Sequence, residues 1–249
     1  MTHPPPAVEF RRVSKAFGDR RVLDDVSLTV PAGRSLCILG RSGTGKSVTL
    51  KTIVGLIRPD AGEVRIDGQD ITGLRPRQLS EVRRRIGFLF QNAALFDSIS
   101  VGENVAFPLR RHTRLGEAAI RERVRIRLAD VGLEHEYDTM PADLSGGMRK
   151  RAGLARAMAL DPSILLVDEP SAGLDPVTAA DVDALLVGLR EHGGTSLVAV
   201  THNIPSARAI GDELIFLHEG RILAQGTSDV FDRSEIPLVR QFMTSTGAG

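Results

Sequence analysis

Apolar and polar residues alternate in VEFRRVSKAF (8–17) and again in DDVSLTV (24–30), the two-residue period of strands with one buried face. SLCILG (35–40) breaks that alternation; it is a short apolar run closed by glycine, as a strand buried on both faces would be. From Lys46 to Ile57 the period becomes helical, until RPDAGE interrupts it. EVRIDGQD predicts a strand entering an Asp-Gly turn, and RRIGFLFQ a further buried strand. Between about 95 and 160 strand signals vanish, and Ile120, Val124, Leu128 and Val131 recur at helical spacing. ILLVDE is again a buried strand, TAADVDALLVGLREHG a helix stopped at Gly193, and TSLVAVTH a strand. DELIFLHEGRILAQG predicts a closing antiparallel hairpin around Glu219 and Gly220. Together these describe an α/β chain: a mainly parallel core sheet, an antiparallel sheet built partly from the N-terminus, and an inserted helical unit.

Composition narrows the function classes. The 249 residues, 42% hydrophobic, suit one domain over 8–240, flanked by a disordered proline-rich N-terminus (1–7) and a short tail (241–249). A net charge of +1 gives no electrostatic case for nucleic acid as a partner. The single Cys37 lies in an apolar strand and reads as a core thiol. No signal peptide is evident, and no apolar run approaches the roughly 20 residues that span a bilayer. The chain is expected in the cytosol, so any membrane role has to come through a partner.

GRSGTGKS, Gly40 to Ser47, fits G-x-x-x-x-G-K-[ST] between a buried strand and a helix. Gly40, Gly43 and Gly45 free backbone N–H groups to curl around phosphates. Lys46 is expected to bring a point charge to the β- and γ-phosphates, and the Ser47 hydroxyl to bind Mg²⁺. ILLVDE ends in two carboxylates: Asp168 near the magnesium shell, and Glu169 toward the water that attacks the γ-phosphate. An acid pair there argues for hydrolysis rather than a slow nucleotide switch. Gln91 and His202 each end an apolar strand of the same parallel sheet, where ligands of such sheets sit. LSGGMRKR (144–151) reads as a second helix N-terminus able to bind an anion.

With these motifs in place the chain resembles an ABC-type ATPase over nearly its whole length. GRSGTGKS matches the P-loop, Gln91 the Q-loop, LSGGM the signature, ILLVDEP the Walker B strand, SAGLD (171–175) the D-loop and His202 the switch histidine. The resemblance implies a P-loop NTPase fold with a RecA-like core. It implies ATP held by Gly40, Arg41, Ser42, Gly43, Thr44, Gly45, Lys46, Ser47 and Val48, with Ser47, Gln91 and Asp168 around Mg²⁺. Glu169, His202 and Gln91 would be catalytic. It also implies a head-to-tail homodimer in which Ser145, Gly146 and Gly147 of one protomer cover ATP held by the other. Asp175 would couple the two sites. Phe17 would stack on adenine; from the residues alone a strand-end core aromatic stays open.

Three stretches bear on the subfamily. FQNAALFDSISVGENVAFPLRRHTRL (90–115), LSGGMRKRAGLARAMALDP and SEIPLVRQFMTSTGAG resemble the ATPases of MCE-associated, Mla-type phospholipid transporters. That resemblance implies integral permease subunits docked on the helical insertion, an MCE-domain protein, a small regulatory subunit, and a place on the cytoplasmic side of a bacterial inner membrane. Met148 is weaker evidence, because osmoprotectant importers share it; those usually continue into a C-terminal module for which this chain is too short. Ribosome- or DNA-acting relatives carry two cassettes or a long coiled-coil insertion, and a GTPase switch would need N-K-x-D. The basic runs RRR (83–85) and RERVRIR (121–127) read as solvated helix faces, with lipid headgroups as the alternative.

Overall fold

The computed structural model describes residues 4–244, and of His192 and Gly193 only the backbone. The chain opens with β1 (Val8–Phe17), β2 (Arg20–Val30) and β3 (Ser35–Leu39), followed by α1 (Lys46–Ile53). Next come β4 (Ala61–Ile66), β5 (Gln69–Asp70), α2 (Pro76–Arg83) and β6 (Ile86–Leu89). Three helices follow without a strand: α3 (Val101–His112), α4 (Glu117–Asp130) and α5 (Gly146–Ala157). The chain then returns through β7 (Ile164–Asp168), α6 (Pro176–Gly193), β8 (Ser196–Thr201) and α7 (Ile204–Ile210). It ends with β9 (Glu213–His218), β10 (Arg221–Gly226), α8 (Ser228–Asp232) and α9 (Pro237–Thr244).

Two sheets carry the fold. One is antiparallel, in the order β2-β1-β4-β5. The other runs β10-β9-β3-β8-β7-β6; β9, β3, β8, β7 and β6 are parallel and β10 closes the edge antiparallel. Strand β9 therefore belongs to the hairpin and to the parallel core at once. Strands β3, β7 and β8 are buried at every position, which explains their continuous apolar runs. One core, holding Leu36, Ile38 and Leu50, lies between the antiparallel sheet and the parallel one. A second, holding Leu39, Val124, Leu154 and Phe216, fills the face covered by the inserted helices. Cys37 is fully buried in the central strand, and burial pushes its thiol pKa far up.

Some boundaries differ from expectation. Helix α1 ends at Ile53, because Gly55 turns the chain at φ 66° and the Leu56 N–H returns to the Lys51 carbonyl. Helix α6 is capped by Gly194 at φ 64°, one residue beyond the expected stop. Residues 1–3 and 245–249 lie outside the described residues, but two flanks of the expected domain are built in. Ala7 is buried and its carbonyl accepts from the Asp67 N–H; residues 241–244 form the last turn of α9, where Phe242 packs edge-on against Phe216 at 4.9 Å.

The basic runs are tied to the protein itself. Arg83 donates to the Val54 and Gly55 carbonyls, Arg84 to the His112 carbonyl and Arg85 to Asp67. Arg123 and Arg127 both pair with Asp161. These bonds give Arg83, Arg84, Arg85, Arg123 and Arg127 structural partners within the chain.

Candidate functional site

A cleft of about 760 Å³ opens between β1, the loop after β3 and the carboxyl ends of the parallel strands. Phe17, Arg41, Ser42, Gly43, Gly45, Lys46, Ser47, Val48, Gln91, Glu169 and His202 all line it, so residues far apart in sequence converge as expected. Phe17 is half-exposed, with the Lys15 amine 5.4 Å from its ring centre; it is no core aromatic.

The glycines of the loop are dictated by geometry. Gly40, Gly43 and Gly45 have φ of 155°, 79° and 106°. A Cβ on Gly45 would stand 2.6 Å from the Val22 carbonyl, and one on Gly40 2.4 Å from the Leu217 carbonyl. Gly45 caps α1 with no side chain to satisfy the first N–H groups, so they point at the cleft. Gly40 itself is buried at the base of the loop, and the Thr44 hydroxyl turns back to the Arg41 carbonyl at 2.9 Å. Lys46, nearly buried, donates to the Gly40 carbonyl at 2.8 Å and stands 3.6 Å from Glu169.

The two adjacent acids divide the work. Ser47 Oγ donates to Asp168 Oδ1 at 3.1 Å. Burial raises the Asp168 pKa, and the Ser47 bond offsets this only partly. A hydroxyl beside a desolvated carboxylate is a hard-oxygen pair suited to Mg²⁺. Glu169 sits at φ 51°, a strained backbone for a side chain with Cβ. Its N–H donates to the Val200 carbonyl at 2.9 Å, and its Oε2 meets His202 Nδ1 at 2.9 Å and the His202 N–H at 3.2 Å. A carboxylate held by an imidazole is a base with a fixed direction.

Ser145, Gly146, Gly147 and Asp175 do not line this cleft. Ser145 caps α5, its Oγ accepting from the Met148 N–H at 3.2 Å. Asp175 caps α6, accepting from the N–H groups of Val177 and Thr178, both at 3.0 Å, and from the Thr178 hydroxyl at 2.5 Å. The Thr178 hydroxyl, and then the backbone bonds, hold its carboxyl below the usual range. Thr178 also touches the signature: a Cβ on Gly147 would lie 2.3 Å from its methyl. The first turn of α6, with Leu174 of the D-loop, thus backs the glycine pair within one chain.

Several residues here escape sequence reasoning. Arg20 lines the cleft and donates to the Gly43 carbonyl at 2.9 Å; Gln241 and Phe242 reach the same cleft from α9. Lys150 is buried and donates to the carbonyls of Gln91 and Glu169, the latter at 2.9 Å. Burial lowers its pKa, against the opposing charges of Asp168 and Glu169. Flanked by Arg149 and Arg151, Lys150 gives no local hint of burial, and its partners lie 59 and 19 residues away.

Comparison with known proteins agrees with this geometry. Residues 23–172 match the family described as ABC transporter. The chain is 44% identical over 243 residues to the probable ribonucleotide transport ATP-binding protein mkl of Mycobacterium tuberculosis, covering 98% of this chain and 68% of that protein. It is 40% identical over 242 residues to the intermembrane phospholipid transport system ATP-binding protein MlaF of Escherichia coli, covering 97% and 90%. Among solved structures, a dimeric ATP-binding cassette in a post-hydrolysis state with ADP and Pi superposes with a TM-score of 0.82 at 35% identity, covering 88% of this chain and 98% of that one.

Proposed function

The chain belongs to the ABC transporter family as an ATP-hydrolysing cassette, and on that premise we propose that it powers phospholipid movement between membranes. In this reading two copies form a head-to-tail dimer on integral permease subunits, at the cytoplasmic face of a bacterial inner membrane. An MCE-domain protein and a small regulatory subunit complete the assembly. The observation that carries the ATPase half is the meeting of Lys46, Ser47 with Asp168, and Glu169 with His202 in one cleft.

The proposed roles follow the geometry. N–H groups of the loop from Gly40 to Ser47 and of Val48 wrap the phosphates, and Lys46 leaves its own loop's carbonyls for the β- and γ-phosphates. Ser47, Asp168 and Gln91 would hold Mg²⁺, which neutralises phosphate charge when bound. Glu169 draws a proton from the attacking water while His202 fixes the carboxylate. Phe17 offers its exposed face to adenine. Ser145, Gly146 and Gly147 of the other protomer close the site with the N-terminus of α5, and Asp175 links the two sites. ATP thereby joins two protomers, and loss of phosphate parts them.

The lipid half is supported by the resemblance of residues 90–115 and by the relationship to MlaF over most of both chains. The same segment carries Phe96 and Phe107, which with Phe88, Phe90, Pro108 and Leu160 line a groove of about 430 Å³, a fitting seat for a permease helix. The mycobacterial relative's name points to ribonucleotide cargo instead, which separates the two readings by experiment.

Glu169→Gln should keep ATP affinity, trap a dimer and slow hydrolysis by about 100-fold or more in the assembled complex. Near-normal turnover would remove Glu169 from the role of base. In the complex reconstituted in vesicles, ATP should drive transfer of labelled phospholipid; ATP-driven ribonucleotide uptake without lipid transfer would replace the lipid assignment.

A further inference from the structure

Lys150 lies on the second turn of α5, whose N-terminus is the Ser145-Gly146-Gly147 anion site. Its side chain leaves the helix surface and becomes buried at the end of the parallel sheet. One amine there donates to the carbonyl of Gln91, after β6, and to the carbonyl of Glu169, after β7, the second at 2.9 Å. No carboxylate lies within ion-pair distance of it among the described residues; the buried ammonium is held by two neutral carbonyls, with the charges of Asp168 and Glu169 acting on it from further off. That is costly as pure packing, since an apolar side chain of similar length would avoid the desolvation.

The geometry of Glu169 explains what such a contact achieves. At φ 51° this residue occupies the left-handed region, which is uncommon and mildly strained for a side chain with Cβ, so its surroundings help hold it there. The Val200 carbonyl holds its N–H and His202 holds its side chain. Among the described residues, Lys150 is the partner of Glu169 that comes from the helical insertion; Lys46, Ala172, Val200 and His202 belong to the core. We propose that Lys150 is a positioning residue: it ties the setting of the Glu169 carboxylate and of the Gln91 turn to the position of the signature helix. Movement of α5 relative to the sheet then displaces both catalytic groups together. Hydrolysis becomes fast only when α5 sits against the ATP of the partner protomer. The argument rests on Glu169 as base, which the Glu169→Gln experiment above tests by itself.

The test uses the full chain in its assembled complex and compares K150M, K150R and K150Q. K150M should lower kcat by about tenfold or more while the KM for ATP stays within about twofold. K150R, which keeps a charged multiple donor, should recover most of kcat; K150Q, a shorter neutral donor, should fall between. In single-turnover measurements the K150M penalty should shrink to about twofold in the E169Q background, because both changes act on one group. A thermal melt of each variant accompanies the kinetics. Wild-type kcat in K150M would overturn the proposal. So would losses that track the melting temperature with no recovery in K150R, or a K150M penalty undiminished beside E169Q.

Discussion

The chain carries two glycine-rich helix starts, and they use glycine for different reasons. In the loop before α1, Gly40, Gly43 and Gly45 all have positive φ, and the backbone itself demands them. At the start of α5, neither Gly146 nor Gly147 has a positive φ; what Gly147 provides is room for the Thr178 methyl. The capping differs as well. Gly45 leaves the first N–H groups of α1 without a side-chain partner, whereas the Ser145 hydroxyl satisfies one at α5. The first start leaves its N–H groups open toward the cleft, as the proposed phosphate site requires. The second is capped within its chain and packed against the first turn of α6, an arrangement consistent with the proposed role of meeting an anion held by a second protomer.

Substitutions should separate these two kinds of glycine. The largest effect is expected for Gly45→Ala, where a strained φ and a backbone oxygen 2.6 Å from the new Cβ act together. ATP affinity by titration calorimetry should fall about 100-fold, near 3 kcal/mol. Gly147→Ala should leave that affinity untouched and instead lower ATP-driven dimerisation and turnover about tenfold, near 1.4 kcal/mol. Adding Thr178→Ser, which removes the obstructing methyl but keeps the hydroxyl bound to Asp175, should restore much of it. If Gly147→Ala weakened ATP binding by the isolated chain, the division between the two sites would collapse. Ser145→Ala should cost about 1 kcal/mol of stability as a lost cap, a fall of a few degrees in Tm, again without change in ATP affinity.

The smallest effect concerns Asp168. Burial raises its pKa in the folded state, so the native protein binds that proton more tightly than the unfolded chain does. The resulting penalty is absent at low pH and complete once pH exceeds the folded-state pKa. Asp168→Asn should therefore raise the melting temperature of the nucleotide-free protein slightly at about pH 8, with the gain fading as pH falls below the ordinary Asp range of about 3.9. Hydrolysis should be lost at every pH. A melting temperature that falls at about pH 8 would show that the Ser47 bond outweighs burial.

Much of this architecture was legible in the chain. The apolar runs of β3, β7 and β8 announce strands buried on both faces, and Asp67-Gly68 marks the hairpin between β4 and β5. Spacing alone assembled Lys46, Ser47, Asp168, Glu169, Gln91 and His202, because in a parallel sheet the ends of the strands share one edge. What stayed hidden depends on contacts between distant segments. Arg20 reads as an ordinary exposed strand residue until the loop folds beneath it. Lys150 reads as one member of a basic run until α5 is laid on the sheet. Gln241 and Phe242 sit in a tail whose docking on Phe216 no local pattern announces. The left-handed backbone at Glu169 is invisible to propensity, which would assign glycine there.

Cys37 is the sole thiol in the chain, sealed in the central strand with its proton held tightly. Thiolate is the species that reacts with maleimides and oxidants, so this residue should stay silent toward both while the protein is folded. The wild-type sequence is thus already a clean background for fluorescent or spin labels. A cysteine placed at exposed Val177, or at exposed Phe107 beside the groove, would be the only one to react. Distances between paired labels on two protomers could then time the closing and parting of the dimer.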